Sequence, residues 1–262
     1  MSSPTFFGAT LARSQIGAST SNGRQPSLIA SVACRWVSRP DPRAAGRVLP
    51  DACIDVIWDG VPVFVVGPDT AAVEIEARLG RAFAGVRFRP GRASAYLGVP
   101  AHHLLNQRVP LEDLFGPREV RWLSDRLAAS PTMEAAADLL DEAVAGRTAD
   151  ALEPDPIVDA LIALLAFPVR THDSVRAAGS QLSIGERRLH RRCCAAFGFG
   201  PKTLERILRF QKAIRLGRPD SSLALVAVQA GYADQAHLSR ECRRLSGCTP
   251  SVLFKTADSA AT

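Results

Sequence analysis

Histidine is scarce in this chain, and cysteine never falls at the spacing of a metal site. Its 262 residues include five histidines and six cysteines. The cysteines, at 34, 53, 193, 194, 242 and 248, form no C-x-x-C pair and have no histidine at zinc-finger distance. Before residue 170 the only histidines are His102 and His103, which as neighbours are expected to point apart on a helix or a strand. No metal or other cofactor is therefore expected. G-x-S-x-G, P-loop and H-E-x-x-H patterns are absent too, so the chain is not read as an enzyme. Long apolar runs are also missing. The longest candidates, 157–167 and 61–66, fall well short of the ~20 residues a membrane helix needs. A soluble, cytoplasmic protein with reduced thiols is expected.

Acidic residues are unevenly spread. None precedes Asp41, and residues 1–27, rich in Ser, Thr, Gly and Ala, read as a disordered tail. From Arg170 onward sixteen basic residues face seven acidic ones, whereas the first 169 residues are slightly acidic, with 16 against 19. The overall +6 thus belongs to the C-terminal third, as in a module that binds a polyanion.

The texture changes along the chain. From Leu28 to about Gly91, short β-branched runs alternate with turn signals: 28–37, 53–58 ending at Asp59-Gly60, 61–66 before Gly67-Pro68-Asp69, and 86–89 before Pro90-Gly91. Strands this short suggest a sandwich or barrel. Helices are expected near 93–97, 101–107, 119–127 and 133–145, the last stopping at Gly146. Its apolar stripe at 136, 139, 140, 143 and 144 suits either intrachain core or pairing between two copies in a homodimer. Residues 150–156, with two prolines and three acids, mark a boundary. The expected domains are 28–150, for sensing or dimerisation, and 157–256.

Residues 230–250 spell a helix that ends, turns and restarts: Gly231 can adopt the left-handed conformation, Asp234 can cap the next helix, and Gly247 with Pro250 ends it. Leu238, Cys242 and Leu245 share one stripe, opposite Ala236, Ser239, Arg240 and Arg243. Taken alone, the polar face fits a DNA major groove or simple solvation. The same pattern occurs 49 residues earlier: Leu189, Arg191, Cys193, Gly198, Pro201 and Leu204 return as Leu238, Arg240, Cys242, Gly247, Pro250 and Leu253. Arg187, His190, Arg191 and Cys194 again project away from the apolar stripe. Between the copies 201–216 reads as one helix, ~24 Å long, able to hold two reading helices about one ~34 Å duplex turn apart.

Gly198-Phe199-Gly200-Pro201 with L-E-R-I-L-R-F-Q-K-A after it, and A-G-Y-A-D-Q-A-H-L from Ala230 closing at G-C-T-P from Gly247, resemble the DNA-binding domain of the AraC/XylS family over about 173–254. The resemblance implies two helix-turn-helix units reading adjacent major-groove segments of double-stranded DNA. Base contacts would fall to Arg187, His190 and Arg191 in the first unit and to Gln235, Ala236, Ser239 and Arg240 in the second. Lys202, Arg206, Arg209, Lys212 and Arg243 are candidates for phosphate contacts or plain solubility. The chain departs from the family at Cys193 and Cys242, where Phe is usual, and at Gly179 and Gly185, where Ala and Ser are.

Family members commonly carry an N-terminal sensing or dimerisation domain on a cupin-like barrel, and L-P-D-A-C-I-D-V-I-W-D-G here resembles that of one subgroup. Asp55, Trp58, Arg87 and Arg89 could line a ligand pocket, or belong to a turn and the wet face of a strand. The expected fold is thus α+β and multidomain, a β-barrel with following helices and then an all-α domain of two helix-turn-helix units joined by a long helix. The expected function is transcription regulation at the nucleoid, responsive to a small-molecule effector. A nonspecific architectural DNA binder and a cupin-type metalloenzyme fused to a DNA-binding domain are the competing readings.

Overall fold

The structure is a computed structural model that describes residues 15–16, 30–39, 46–75, 82–148, 155–166 and 173–259. Most of the expected tail and of the 150–156 boundary lies outside the described residues. Among the described residues, eight strands form two antiparallel sheets. β2 (Val32–Ser38), β7 (Phe83–Phe88), β4 (Asp55–Trp58), β5 (Val63–Val66) and β8 (Arg108–Pro110) lie in that order in the larger sheet, and β1 (Gln15–Ile16), β3 (Gly46–Val48) and β6 (Val73–Ile75) in the smaller. The β4–β5 hairpin turns at Asp59-Gly60, where Gly60 has φ 103°.

Strand alternation gives the larger sheet two different faces. Val56, Trp58, Val65, Val86 and Phe88 join a core with α1 (Ala93–Leu97), α2 (Pro117–Ala128) and α3 (Met133–Thr148). Trp36, Asp55, Ile57, Phe64, Val66, Phe83 and Arg87 face the other way, across a cavity toward Val48 and Val73 of the smaller sheet. Gly85 leaves room for Trp36, since a Cβ there would lie 2.6 Å from the indole ring. The stripe of α3 at 136, 139, 140 and 144 is intrachain core, and the helix runs past Gly146 to Thr148.

The C-terminal part is all helical. α4 (Pro156–Ala166), α5 (Ser174–Gln181) and α6 (Glu186–Phe197) share one core with the start of α7 (Pro201–Leu216), through Leu204, Ile207 and Leu208. The end of α7, through Phe210, Ala213 and Ile214, shares a second core with α8 (Leu223–Ala230), α9 (Gln235–Ser246) and α10 (Pro250–Ser259). One amphipathic helix thereby serves both units. Cys193 and Cys242 are fully buried equivalents in the two cores, and burial pushes both thiols well above their ordinary range. None of the six cysteines is in a disulfide.

Candidate nucleic-acid interface and the cavity behind it

The two helix-turn-helix units differ in how their turns are built. In the second, Gly231 takes φ 93° and the Asp234 side chain accepts a 2.6 Å hydrogen bond from the His237 amide, starting α9 with a capped end. In the first, Ser183 occupies the left-handed position at φ 51°, and Gly185 at the head of α6 has no side chain to cap with. The second turn is the better formed.

Arg187, His190 and Arg191 of α6 are exposed, as are Gln235, Ala236, Arg240 and Arg243 of α9, with Ser239 half-buried. No ion pair occupies Arg187, Arg191, Arg240 or Arg243 among the described residues. His190 leans back along its helix, its ring beside Cys194 Sγ (3.5 Å) and over Gly200. The phosphate candidates divide. Lys202 is open, with a loose 3.8 Å approach to Asp173, and Lys212 is half-buried. Arg206 is held by Glu241 of α9 at 2.8 Å and Arg209 by Glu205, while Arg209 also lies over the Tyr232 ring. Those two guanidiniums tie α7 to its neighbours, a task that their helical spacing alone does not disclose.

The cavity in the N-terminal half measures about 300 Å³. Asp55 and Arg87 form its polar floor. Arg87 donates through Nε and Nη2 to Asp55 (2.9 and 2.8 Å) and through Nη1 to Asp51 (2.9 Å), and Trp36 Nε1 adds a 3.0 Å bond to Asp55. Burial works against the Arg87 charge, but the two carboxylates outweigh it and hold the guanidinium pKa above its ordinary value. Asp69, also in the wall, is raised to about 6, first by burial and then by Asp51, against the pull of Arg108. Arg87 is therefore no wet-face residue: at 3% exposure it is the most buried charge of this half. Trp58 and Arg89 do not line the cavity. Trp58 faces the helix layer and Arg89 faces solvent. Asp69, Arg108 and the smaller sheet were not singled out by sequence, because strands of three residues carry almost no periodic signal.

His102 and His103 lie on a 3-10 turn, 101–104, with their rings 4.4 Å apart rather than diverging. Successive residues of so tight a turn can still stack edge to face. Both are exposed, and among the described residues no group of three or more His, Cys, Asp or Glu is placed to hold a metal. No helix among them is long and apolar enough to cross a membrane.

The two halves interlock at the 49–53 loop. Leu49 enters the core of the second unit, Ala52 that of the first, and the Pro50 carbonyl accepts a 2.7 Å bond from buried Gln211 of α7. Asp51, between them, shares Arg87 with Asp55. Both α6 and α9 also end against the N-terminal half. Ser94 Oγ donates to the Ala195 carbonyl (3.0 Å), the Ala72 amide to Leu245 (2.7 Å), and Arg47 Nη1 to Ser246 (2.8 Å).

Comparison with known proteins gives two separate family matches. Residues 179–256 match a family described as a helix-turn-helix domain, and residues 25–110 a domain of unknown function, DUF6597. The HTH-type transcriptional regulator VirS of two Mycobacterium tuberculosis strains is 39% identical over 77 residues, 29% of this chain. The chain thus spans about a quarter of the length of these relatives, 23%. Among solved structures, ToxT from Vibrio cholerae O395 overlaps 92% of this chain and 95% of its own at 10% identity, with a TM-score of 0.44. ToxT bound to (E)-4-(8-methylnaphthalen-1-yl)but-3-enoic acid overlaps 91% and 98% at 9% identity, with a TM-score of 0.46. Overlaps this loose carry neither a ligand nor a pocket from one protein to another.

Proposed function

We propose that the chain is a sequence-specific transcription regulator acting on DNA in the bacterial nucleoid, and that its C-terminal third is a double helix-turn-helix domain of the AraC/XylS type. In this reading, residues 28–150 sense a small molecule and 157–256 read DNA. One observation carries it: two equivalent helices, α6 and α9, each present an exposed, arginine-bearing stripe from opposite ends of the same linking helix. Arg187, Arg191, Gln235 and Arg240 are the base readers of this reading, with His190, Ala236 and Ser239 beside them; Ala236 can offer only a methyl to thymine. Lys202, Lys212 and Arg243 serve phosphates, and Arg206 and Arg209 reach them only by giving up their carboxylate partners. The effector is a small, largely apolar molecule of a size to fit about 300 Å³, facing Asp55, Arg87 and Asp69. No catalytic step is assigned. A homodimer would use the α2 surface, where Trp122 is 57% exposed beneath Arg126, and light scattering would show it.

Binding-site selection from genomic fragments tests the function. A preferred sequence supports a regulator, whereas uniform retention of all fragments supports an architectural binder. Once a site is known, Arg240→Ala should cost about 1–3 kcal/mol on it and less on random DNA. Equal losses on both would remove Arg240 from the base readers.

A further inference from the structure

We propose that Arg47 is a positioning residue for the second recognition helix, and that the contents of the cavity control its hold on α9 while leaving the hold on α6 in place. The inference rests on the DNA-reading role of α6 and α9 argued above.

A helix leaves its last carbonyls without intrahelical partners. At the end of α9 these are taken up from outside its domain, Leu245 by the Ala72 amide and Ser246 by Arg47. The same Arg47 nitrogen lies 2.6 Å from Cys248 Sγ, so one guanidinium grips both the helix end and the turn that follows it. A cation at that end also complements the helix dipole. Arg47 is in turn fixed by Glu74 at 2.5 Å.

The gripping residues belong to the cavity wall. Val48, Val73 and Glu74 line the cavity, and they adjoin Arg47 and Ala72 in sequence. Strands β3 and β6 have three residues each, and among the described residues no helix of the N-terminal core backs them. A molecule seated between the sheets therefore presses on the very segment that holds α9.

The hold on α6 is built differently. Ser94 lies on α1, whose Tyr96 and Leu97 are buried in the helix-backed core, as are Ala101 and Leu104 of the adjacent 3-10 turn. Pro68 touches Gly198 and stands next to Asp69 of the cavity, but its loop is fastened to the same turn region by Gly67 to Gln107, Asn106 to Pro68 and Thr70 to Asn106 hydrogen bonds. One recognition helix is thus clamped by a stiff layer and the other by a thin one.

Hydrogen exchange and DNA affinity on the full chain test this together. Losing one charged hydrogen bond at the helix end should speed exchange across 240–248 about tenfold in Arg47→Ala, with 190–198 unchanged, and Arg47→Lys should recover part of it. On a selected site, Arg47→Ala should bind about tenfold more weakly, and likewise when the first half of the site is scrambled. With the second half scrambled it should match wild type. Ile57→Trp, or Phe64→Trp if that fails to fold, fills the cavity from the opposite wall, and exchange should change across 240–248 alone. The proposal is overturned if Arg47→Ala leaves exchange and all three affinities at wild-type values. It is equally overturned if the filled cavity alters both helix ends or neither. If wild-type protein binds intact and scrambled sites equally, the DNA-reading role itself fails, and this inference with it.

Discussion

Asp69 sits in the cavity wall with no hydrogen-bond donor among the described residues, and its pKa is raised from 3.8 to about 6. A carboxyl whose folded pKa is raised holds its proton more tightly when folded. Its penalty is absent below about pH 4, grows between about 4 and 6, and is complete above that. Asp69→Asn should therefore be the more stable protein at neutral pH and converge with wild type in acid. Urea titrations of both across that window would reveal it, and parallel curves would deny the raised pKa. Arg87 carries the lesson of this scale for reading sequences. Val-Arg-Phe-Arg looks like a strand with one wet side, and the pattern correctly separates Val86 and Phe88 from the arginines. It cannot tell solvent from an internal cavity, so the buried Arg87 and the exposed Arg89 looked alike until Asp51 and Asp55 were placed beside one of them.

Among the elements, the helix caps decide which unit is the firmer. The Asp234 carboxylate holds the first turn of α9 through the His237 amide, whereas α6 begins at an uncapped glycine. Asp234→Ala should cost about 1 kcal/mol, measured by urea denaturation, and should fray the start of α9 in hydrogen exchange before any other helix. These helices were legible because each carries an apolar stripe and a closing glycine, in an order repeated 49 residues on, and α9 adds a cap. The strands were less so. β4 and β5 fall within the apolar runs that suggest them, β2 overruns its run by one residue and β7 begins three residues before 86–89, while β3, β6 and β8, of three residues each, owe their existence to partners on other strands rather than to their own composition. Gly146 did not stop α3, which reaches Thr148.

For the whole molecule, the interlock at residues 49–53 joins two halves that sequence presents as separate domains. Contacts between the halves span separations such as the 161 residues from Pro50 to Gln211 and the 199 from Arg47 to Ser246, over which no periodicity can be read. All three tryptophans, at 36, 58 and 122, lie in the N-terminal half, while most of the helix lies in the other. Unfolding followed by tryptophan fluorescence and by helical circular dichroism should thus coincide in the native chain. Leu49→Ala empties a fully buried position in the second unit's core, a change that costs about 2–5 kcal/mol, and should separate the two transitions with the helical signal lost first. Transitions already separate in wild type would mean that the interlock does not bind the halves into one cooperative unit.

The alternation of β3 has an evolutionary consequence. Val48 faces the cavity and Arg47, its neighbour, faces the helix it grips, so on the proposed reading detection and output fall to different residues of one short strand. On that reading, drift at Val48, Ile57, Phe64 or Val73 would reshape the cavity without touching Arg47. A regulator built this way would change its chemical vocabulary while keeping the same DNA sites.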